Sequence, residues 1–202
     1  REYSDRGDAV FDPFAGYGTT LRVAEEVDRT PYGLEYEGDR VEYVGERVDA
    51  PSNVRQGDAR EFESDWLPPV DCCFTSPPFM ERTDDRNPFR NYAGESHYDQ
   101  YLDDIEAAFD RVASVLAPGG HTVIDVVNLK FEGRVTTLAW DVADRVGNVL
   151  DFEGEVVVAW ESSSAGGPDD ADRDASEADP DDGTYGYGYD HSYCLVFRKP
   201  EN

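Results

Sequence analysis

Apolar and polar positions along the chain change period several times, and the changes divide it into strands and helices. A short apolar run through Val10 and Phe11 reaches the acid Asp12, then a turn with Gly16 and Gly18, then Leu21-Arg22-Val23-Ala24-Glu25-Glu26, which is helical in composition. That is strand, tight loop, helix. Residues 31–35 read as a second short strand ending in Glu35, and Val41, Val44 and Val48 recur at helical spacing among charged residues. Residues 52–59 read as a third strand with Asp58 at its end. Residues 70–75 form an apolar run of the kind buried on both faces of a parallel sheet. The run stops at Ser76-Pro77-Pro78-Phe79, because two prolines cannot continue a hydrogen-bonded ladder.

Further on, residues 80–96 are polar, arginine-bearing and aromatic without a period, and read as a long loop. Loops longer than about 12–15 residues in a compact domain tend to be functional or disordered. Residues 98–116 give the strongest helical pattern, with Tyr101, Ile105, Ala108, Phe109, Val112 and Leu116 on one face. Pro118-Gly119-Gly120 ends it. A fifth strand is expected over 121–127, a helix over 135–146, and two closing strands over 155–160 and 192–198. Between those two lies a stretch of serine, glycine, aspartate and proline, 162–188, whose acidic part cannot bury enough apolar surface to order itself. It reads as a flexible acidic insertion, and its Tyr185-Gly186-Tyr187-Gly188-Tyr189 run offers aromatic rings for stacking on bases. Strands alternating with helices, then a closing strand pair, predict a doubly wound, mostly parallel α/β sheet with an antiparallel C-terminal edge. The 202 residues fit one domain, 1–202.

Charge changes this picture in one respect. The chain carries 45 acidic against 18 basic residues, a formal net charge of -27, and Lys130 and Lys199 are its only lysines. Acid spread over the whole chain is the surface expected of a protein from a halophilic source. In molar salt the Debye length is about 3 Å, so net charge neither selects nor excludes a polyanionic partner. Cys72, Cys73 and Cys194 have no metal-type spacing and read as buried, reduced thiols; no metal site is expected. The absence of a long apolar run and of a signal-like start predicts a cytoplasmic protein that does not engage a membrane.

Four strand ends carry polar groups to one edge: Asp12 with its glycine loop, Glu35, Asp58, and Ser76-Pro77-Pro78-Phe79. Ligands bind at that edge of an open α/β sheet. The interval from Gly16 to Glu35 matches the roughly 20 residues after which an acid meets ribose hydroxyls in nucleotide-binding units. Asp58 adds an acceptor for an exocyclic amine, so the set suits an adenosine moiety. In Ser76-Pro77-Pro78-Phe79, the prolines hold a rigid extended segment whose carbonyl points outward. A hydroxyl, a fixed carbonyl and a ring there can take two hydrogen bonds from a planar amino group and stack on the base that carries it. A tight turn around a core phenylalanine is the plainer use of such a pair.

With these motifs in place, the chain resembles the S-adenosylmethionine-dependent amino-methyltransferases of nucleic acids, the DNA modification methylase family, and a haloarchaeal source fits its charge. Asp12-Pro13-Phe14-Ala15-Gly16-Tyr17-Gly18-Thr19-Thr20 is similar to the family's cofactor loop. Thr75-Ser76-Pro77-Pro78-Phe79 resembles its catalytic motif, in the serine form associated with cytosine N4 rather than the Asn or Asp form commoner for adenine N6. The resemblance implies the seven-stranded, Rossmann-like methyltransferase sheet and S-adenosylmethionine as cofactor. It implies that Asp12, Phe14, Gly16, Gly18, Thr19 and Thr20 hold the cofactor's methionine end, Glu35 its ribose and Asp58 its adenine amine. Ser76 and the Pro77 carbonyl would orient the target amine next to Pro78, with Phe79 stacked on a base flipped from DNA or RNA, because that amine is out of reach inside a duplex.

Two departures qualify the likeness. A phenylalanine-containing cofactor motif precedes the glycine loop in some classes, whereas here only residues 1–9 stand before it, so the motif is absent, relocated or lost. A large region for reading base edges is also missing, which leaves the loop 80–96 and the acidic insertion, or else RNA shape or a partner protein, to supply target recognition. Cytosine N4 in DNA leads, followed by the same chemistry on RNA, then adenine N6 and guanine N2. A non-catalytic methyltransferase-like subunit, or a methyltransferase of protein glutamine amides, would be a different class; an asparagine would be expected at position 76 for the latter.

Overall fold

The structure is a computed structural model that describes residues 2–131, 133–160 and 187–201. Seven strands form one sheet: β1 (Ala9–Asp12), β2 (Thr30–Glu35), β3 (Val54–Gln56), β4 (Val70–Thr75), β5 (Leu116–Val126), β8 (Asp151–Ala159) and β9 (His191–Arg198). Their order is β3-β2-β1-β4-β5-β9-β8. The pairs β1–β2, β1–β4, β2–β3 and β4–β5 are parallel, and β5–β9 and β8–β9 are antiparallel. The C-terminal antiparallel pair expected from sequence is therefore present, with β9 entering between β5 and the edge strand β8. The strand order reverses between β1 and β4, which puts the switch point at the carboxyl ends carrying Asp12 and Thr75.

Among the described residues, four helices cover the sheet: α1 (Thr19–Glu26), α2 (Gly38–Gly45), α3 (Tyr98–Val115) and α4 (Leu138–Val146). Alternate residues of β1 separate the two faces. Phe11 joins the large core with Ile105 and Phe109 of α3 and Val142 of α4, whereas Val10 packs with Ala24 of α1 and Cys72. Ala9, Phe11 and Val10 are all buried, so β1 has no solvent face, as the unbroken apolar run requires. Lys199 caps α3, its ammonium donating to the carbonyls of Ala113 and Leu116 at 2.7 Å each. A cation there offsets the negative end of the helix dipole.

Several elements depart from the sequence reading. The third strand is only Val54–Gln56, preceded by a 3-10 turn over Pro51–Asn53, and Asp58 lies past its end. Val48 is buried beyond the end of α2 rather than within it. β5 begins at Leu116 and runs through Pro118-Gly119-Gly120, where the pairing with β4 shifts register between Val70 and Cys72. Such an irregularity accommodates the proline without a broken ladder. The start of the expected helix over 135–146 is instead the second strand of a short hairpin, β6 (Leu129–Phe131) with β7 (Arg134–Thr136). The expected insertion over 162–188 lies outside the described residues except for Tyr187 and Gly188.

The loop 80–96 has no long regular element, as expected, yet it is anchored: Met80, Asn87 and Ser96 are buried, and a 3-10 turn spans Pro88–Arg90. Among the described residues, no helix is long and apolar enough to cross a membrane.

Candidate active site

The glycine loop is built by hydrogen bonds to buried acids. Asp12, 3% exposed, accepts from the Phe14 amide at 3.0 Å and from the Thr75 hydroxyl at 2.6 Å on one oxygen. Burial pushes its carboxyl up to about 6, against the opposing hydrogen bonds from Thr75, Thr20 and Phe14, with the nearby charge of Glu35 adding to the rise. Gly18 then turns left-handed at φ 80° and donates to Ala15 O at 2.7 Å before α1 begins. A Cβ on Gly18 would come within 2.8 Å of a Val44 methyl, so only glycine allows α2 this close.

Glu35, at the end of β2 and 6% exposed, holds the same loop from the other side. One oxygen accepts from the Gly16 amide at 2.8 Å and the other from the Glu37 amide at 3.0 Å. A carboxylate has about four acceptor sites, which leaves roughly two for a ligand. Asp58 is more committed. Its oxygens accept from Arg60 N at 2.9 Å, Nε at 3.0 Å and Nη2 at 2.6 Å. Burial works against its ionisation, but the hydrogen bonds and charge of Arg60 outweigh that and hold the carboxyl below its ordinary range.

At the end of β4 the chain leaves the sheet through Ser76, which is exposed, and Pro77, which is buried. The Pro78 carbonyl is fixed by the Tyr101 hydroxyl of α3 at 3.0 Å. Phe79 is 47% exposed, and its ring meets that of Tyr187 edge-on, centroids 5.5 Å apart at 87°. Tyr187 is held in place by its carbonyl, which accepts from the Lys130 amide of β6 at 2.9 Å.

These elements surround one open cleft of about 420 Å³. Phe14, Gly16, Glu35 and Asp58 line it together with Ser76, Pro77, Pro78 and Phe79, so eight of the residues singled out from sequence meet in one place. Asp12, Gly18, Thr19 and Thr20 do not line it. Asp12 sits behind the loop and shapes it, Gly18 makes the turn into α1, and Thr19 and Thr20 are the first two residues of that helix. Reasoning from sequence did not single out Tyr36, Arg40, Phe89 or Tyr92, which also line the cleft. For Tyr36 there was a signal, an aromatic residue directly after the acid that ends β2.

The lining tests which ligand fits. Glu35, Glu37 and Asp58 present acceptors and negative charge, which repel a phosphate and suit a ligand bearing hydroxyls, an amine and a positive centre. A cationic adenosine derivative such as S-adenosylmethionine meets that description. Among the described residues no group of three or more His, Cys, Asp or Glu is placed to hold a metal ion.

Solved structures share the fold. TrmN from Thermus thermophilus aligns with a TM-score of 0.59 at 15% identity, over 96% of this chain and 44% of that one. The present chain thus spans less than half the length of TrmN. A chain of methyltransferase type solved in complex with the Haloferax volcanii Trm112 methyltransferase activator gives 0.63 at 15% identity, covering 97% and 84%. The N-methyltransferase NodS from Bradyrhizobium japonicum, solved with S-adenosyl-L-homocysteine, gives 0.56 at 14% identity, covering 96% and 79%. The architecture is that of the S-adenosylmethionine-dependent methyltransferases. No curated protein matches the chain significantly in sequence. A sequence model described as DNA methylase matches residues 1–46 and 70–202. The chain belongs to this DNA methylase family of amino-methyltransferases, whose methyl donor is S-adenosylmethionine.

Proposed function

We propose that the chain transfers a methyl group from S-adenosylmethionine to an exocyclic amino group of a nucleic-acid base, with cytosine N4 in DNA as the target. One observation carries this reading: Ser76 and the half-exposed ring of Phe79 share a cleft with Glu35 and Asp58. Glu35 takes the ribose hydroxyls and Asp58 the adenine amine. Asp12, Phe14, Gly16, Gly18, Thr19 and Thr20 form or support the loop against the methionine end.

The bound cofactor supplies an electrophilic methyl on a sulfonium, so the protein's main contribution is proximity and orientation. Ser76 Oγ and the Pro77 carbonyl each accept one N–H of the target amine. That directs the nitrogen lone pair at the methyl carbon, and the amine's displaced proton leaves to water. Phe79 stacks on the base, and the Tyr101–Pro78 hydrogen bond keeps the motif from drifting.

RNA is the second reading, favoured by the aromatic residues Tyr36, Phe79, Tyr92 and Tyr187, which line the cleft as stacking surfaces for unpaired bases. Likeness to the Trm112-bound chain makes an activator subunit a reasonable partner for target recognition. The deciding experiment incubates the purified protein with S-adenosylmethionine and either DNA or RNA in molar KCl, followed by nucleoside mass spectrometry. N4-methyldeoxycytidine supports the DNA reading and N4-methylcytidine the RNA reading. N6-methyladenine or N2-methylguanine would overturn the choice of base, and no modified base with or without an activator would overturn the reaction.

A further inference from the structure

A chain of hydrogen bonds runs beside the cleft from Asp58 to the 80–96 loop, and no step of the proposed reaction uses it. Besides its fork on Asp58, Arg60 donates from Nη1 to Asp104 Oδ1 of α3 at 2.7 Å. The other oxygen of Asp104, a residue 8% exposed, accepts from Asn87 Nδ2 at 2.6 Å. Asn87 is fully buried; its Oδ1 accepts from the Phe89 amide at 2.9 Å, and its carbonyl accepts from the amides of Arg90 and Tyr92. The Arg60 guanidinium also lies 5.7 Å from the centre of the Phe89 ring, which meets Phe14 edge-on at 5.7 Å.

Both ends of this chain reach the cleft. Asp58 lines it at one end, and Phe89, Asn91 and Tyr92 line it at the other, while Asn87 and Asp104 do not. The Arg60 amide and fork occupy about three of the four acceptor sites of Asp58, so the remaining one has a fixed direction. At the far end Asn91 and Tyr92 are left-handed, at φ 52° and 55°. Residues with a Cβ keep that conformation in succession only when their surroundings hold them.

We infer that Arg60 is a positioning residue that couples cofactor binding to the turn over residues 88–92. It aims the free acceptor of Asp58 at the cofactor's adenine amine and, through Asp104 and Asn87, sets the turn that receives the nucleic acid. Cofactor binding therefore orders the turn, and an ordered turn raises cofactor affinity by the same factor, because coupling between sites is reciprocal. The inference rests on the cleft being the S-adenosylmethionine site.

The test uses S-adenosylhomocysteine as probe, with calorimetry and hydrogen exchange on the whole chain, Arg60→Lys and Asn87→Ala in molar KCl, and melting curves to confirm folding. In the unaltered protein the probe should slow exchange at residues 16–20 and at 88–92 together. Asn87→Ala should weaken the probe about tenfold, within the roughly 5–150-fold of ordinary site coupling, and abolish protection at 88–92 alone. Arg60→Lys, which keeps the charge without the fork, should fall between the two. A cooperatively melting Asn87→Ala with unchanged probe affinity overturns the coupling, as does protection of 16–20 without 88–92 in the unaltered protein. No probe binding at all would instead remove the cofactor reading on which the coupling rests.

Discussion

The Thr75 hydroxyl donates to the Asp12 carboxylate at 2.6 Å, joining the last residue of β4 to the last residue of β1. One bond thus links the strand end that opens the glycine loop to the strand end that opens Ser76-Pro77-Pro78-Phe79. Both residues are buried, so the bond is shielded from competing water. It ties the first residue of the glycine loop to the residue just before Ser76 and so fixes the spacing between the two.

Asp12 gives a pH-dependent consequence. Its folded-state pKa of about 6 lies above the ordinary carboxyl value, so the folded chain binds that proton more tightly than the unfolded chain does. On this group alone, stability is full below about pH 4 and declines as the pH rises through about 6, by roughly 2–3 kcal/mol. Asp12→Asn keeps an acceptor for Thr75 and Phe14 and removes the titration. Thermal melts should show the variant gaining stability over the unaltered protein at pH 8 relative to pH 4. A difference that does not change with pH would contradict the assignment.

The two glycines of the loop should respond differently to alanine. At Gly18 a Cβ meets Val44 at 2.8 Å on a backbone at φ 80°, whereas at Gly16 it meets nothing closer than Phe14 O at 3.8 Å. Gly18→Ala is expected to cost about 1–3 kcal/mol from strain and overpacking. Gly16→Ala, strained by its φ of 53° but not crowded, should cost less. Urea denaturation of both variants gives the ranking, and equal midpoints would refute it.

Tyr101→Phe removes the hydroxyl on the Pro78 carbonyl and leaves the ring packing with Tyr98 and Phe89. A lost hydrogen bond of this kind costs about 1 kcal/mol. Because the bond holds the Ser76-Pro77-Pro78-Phe79 stretch proposed to be catalytic and not the wall proposed to hold the cofactor, kcat should fall while the affinity for S-adenosylhomocysteine stays within about twofold. Weaker cofactor binding at unchanged kcat would place Tyr101 on the wrong side of the cleft.

The net charge of -27 predicts a requirement for salt. Self-repulsion on this scale opposes the compact state until counterions screen it. Circular dichroism should show loss of structure on dialysis to millimolar salt and recovery in molar KCl. A melting temperature independent of salt would remove the inference of a halophilic source.

Long periodic signals carried most of the fold. The strand over 70–75 and the start of α3 at Tyr98 agree with the sequence reading to the residue, because two prolines stop the strand and a sustained helical stripe leaves few alternatives, although Phe74 is exposed and the strand is not buried on both faces as expected. Short elements were not legible. The β6–β7 hairpin has three residues per strand, too few to establish a period, and Val135-Thr136 is read from sequence into the helix that follows. The lining of the cleft was legible where chemistry and motif coincide, as at Glu35 and Ser76. Arg60 was hidden because its second partner, Asp104, is far from it in sequence and comes within reach only through the packing of α3, where Asp104 also accepts from Asn87. Tyr187 was recognised as an aromatic, but its contact with Phe79 depends on the β6 hairpin that holds its carbonyl.

The most direct test of the central claim compares Ser76→Ala with the unaltered protein on one nucleic acid, following nucleoside mass spectrometry for turnover and calorimetry with S-adenosylhomocysteine for the cofactor. Ser76 is exposed in the cleft and makes no hydrogen bond to the glycine loop, Glu35 or Asp58. The variant should therefore bind the probe within about twofold of the original and form N4-methylcytosine at least about 100-fold more slowly, the scale of losing an oriented hydrogen-bonding group in catalysis. Undiminished formation of the methylated base by Ser76→Ala would contradict the account.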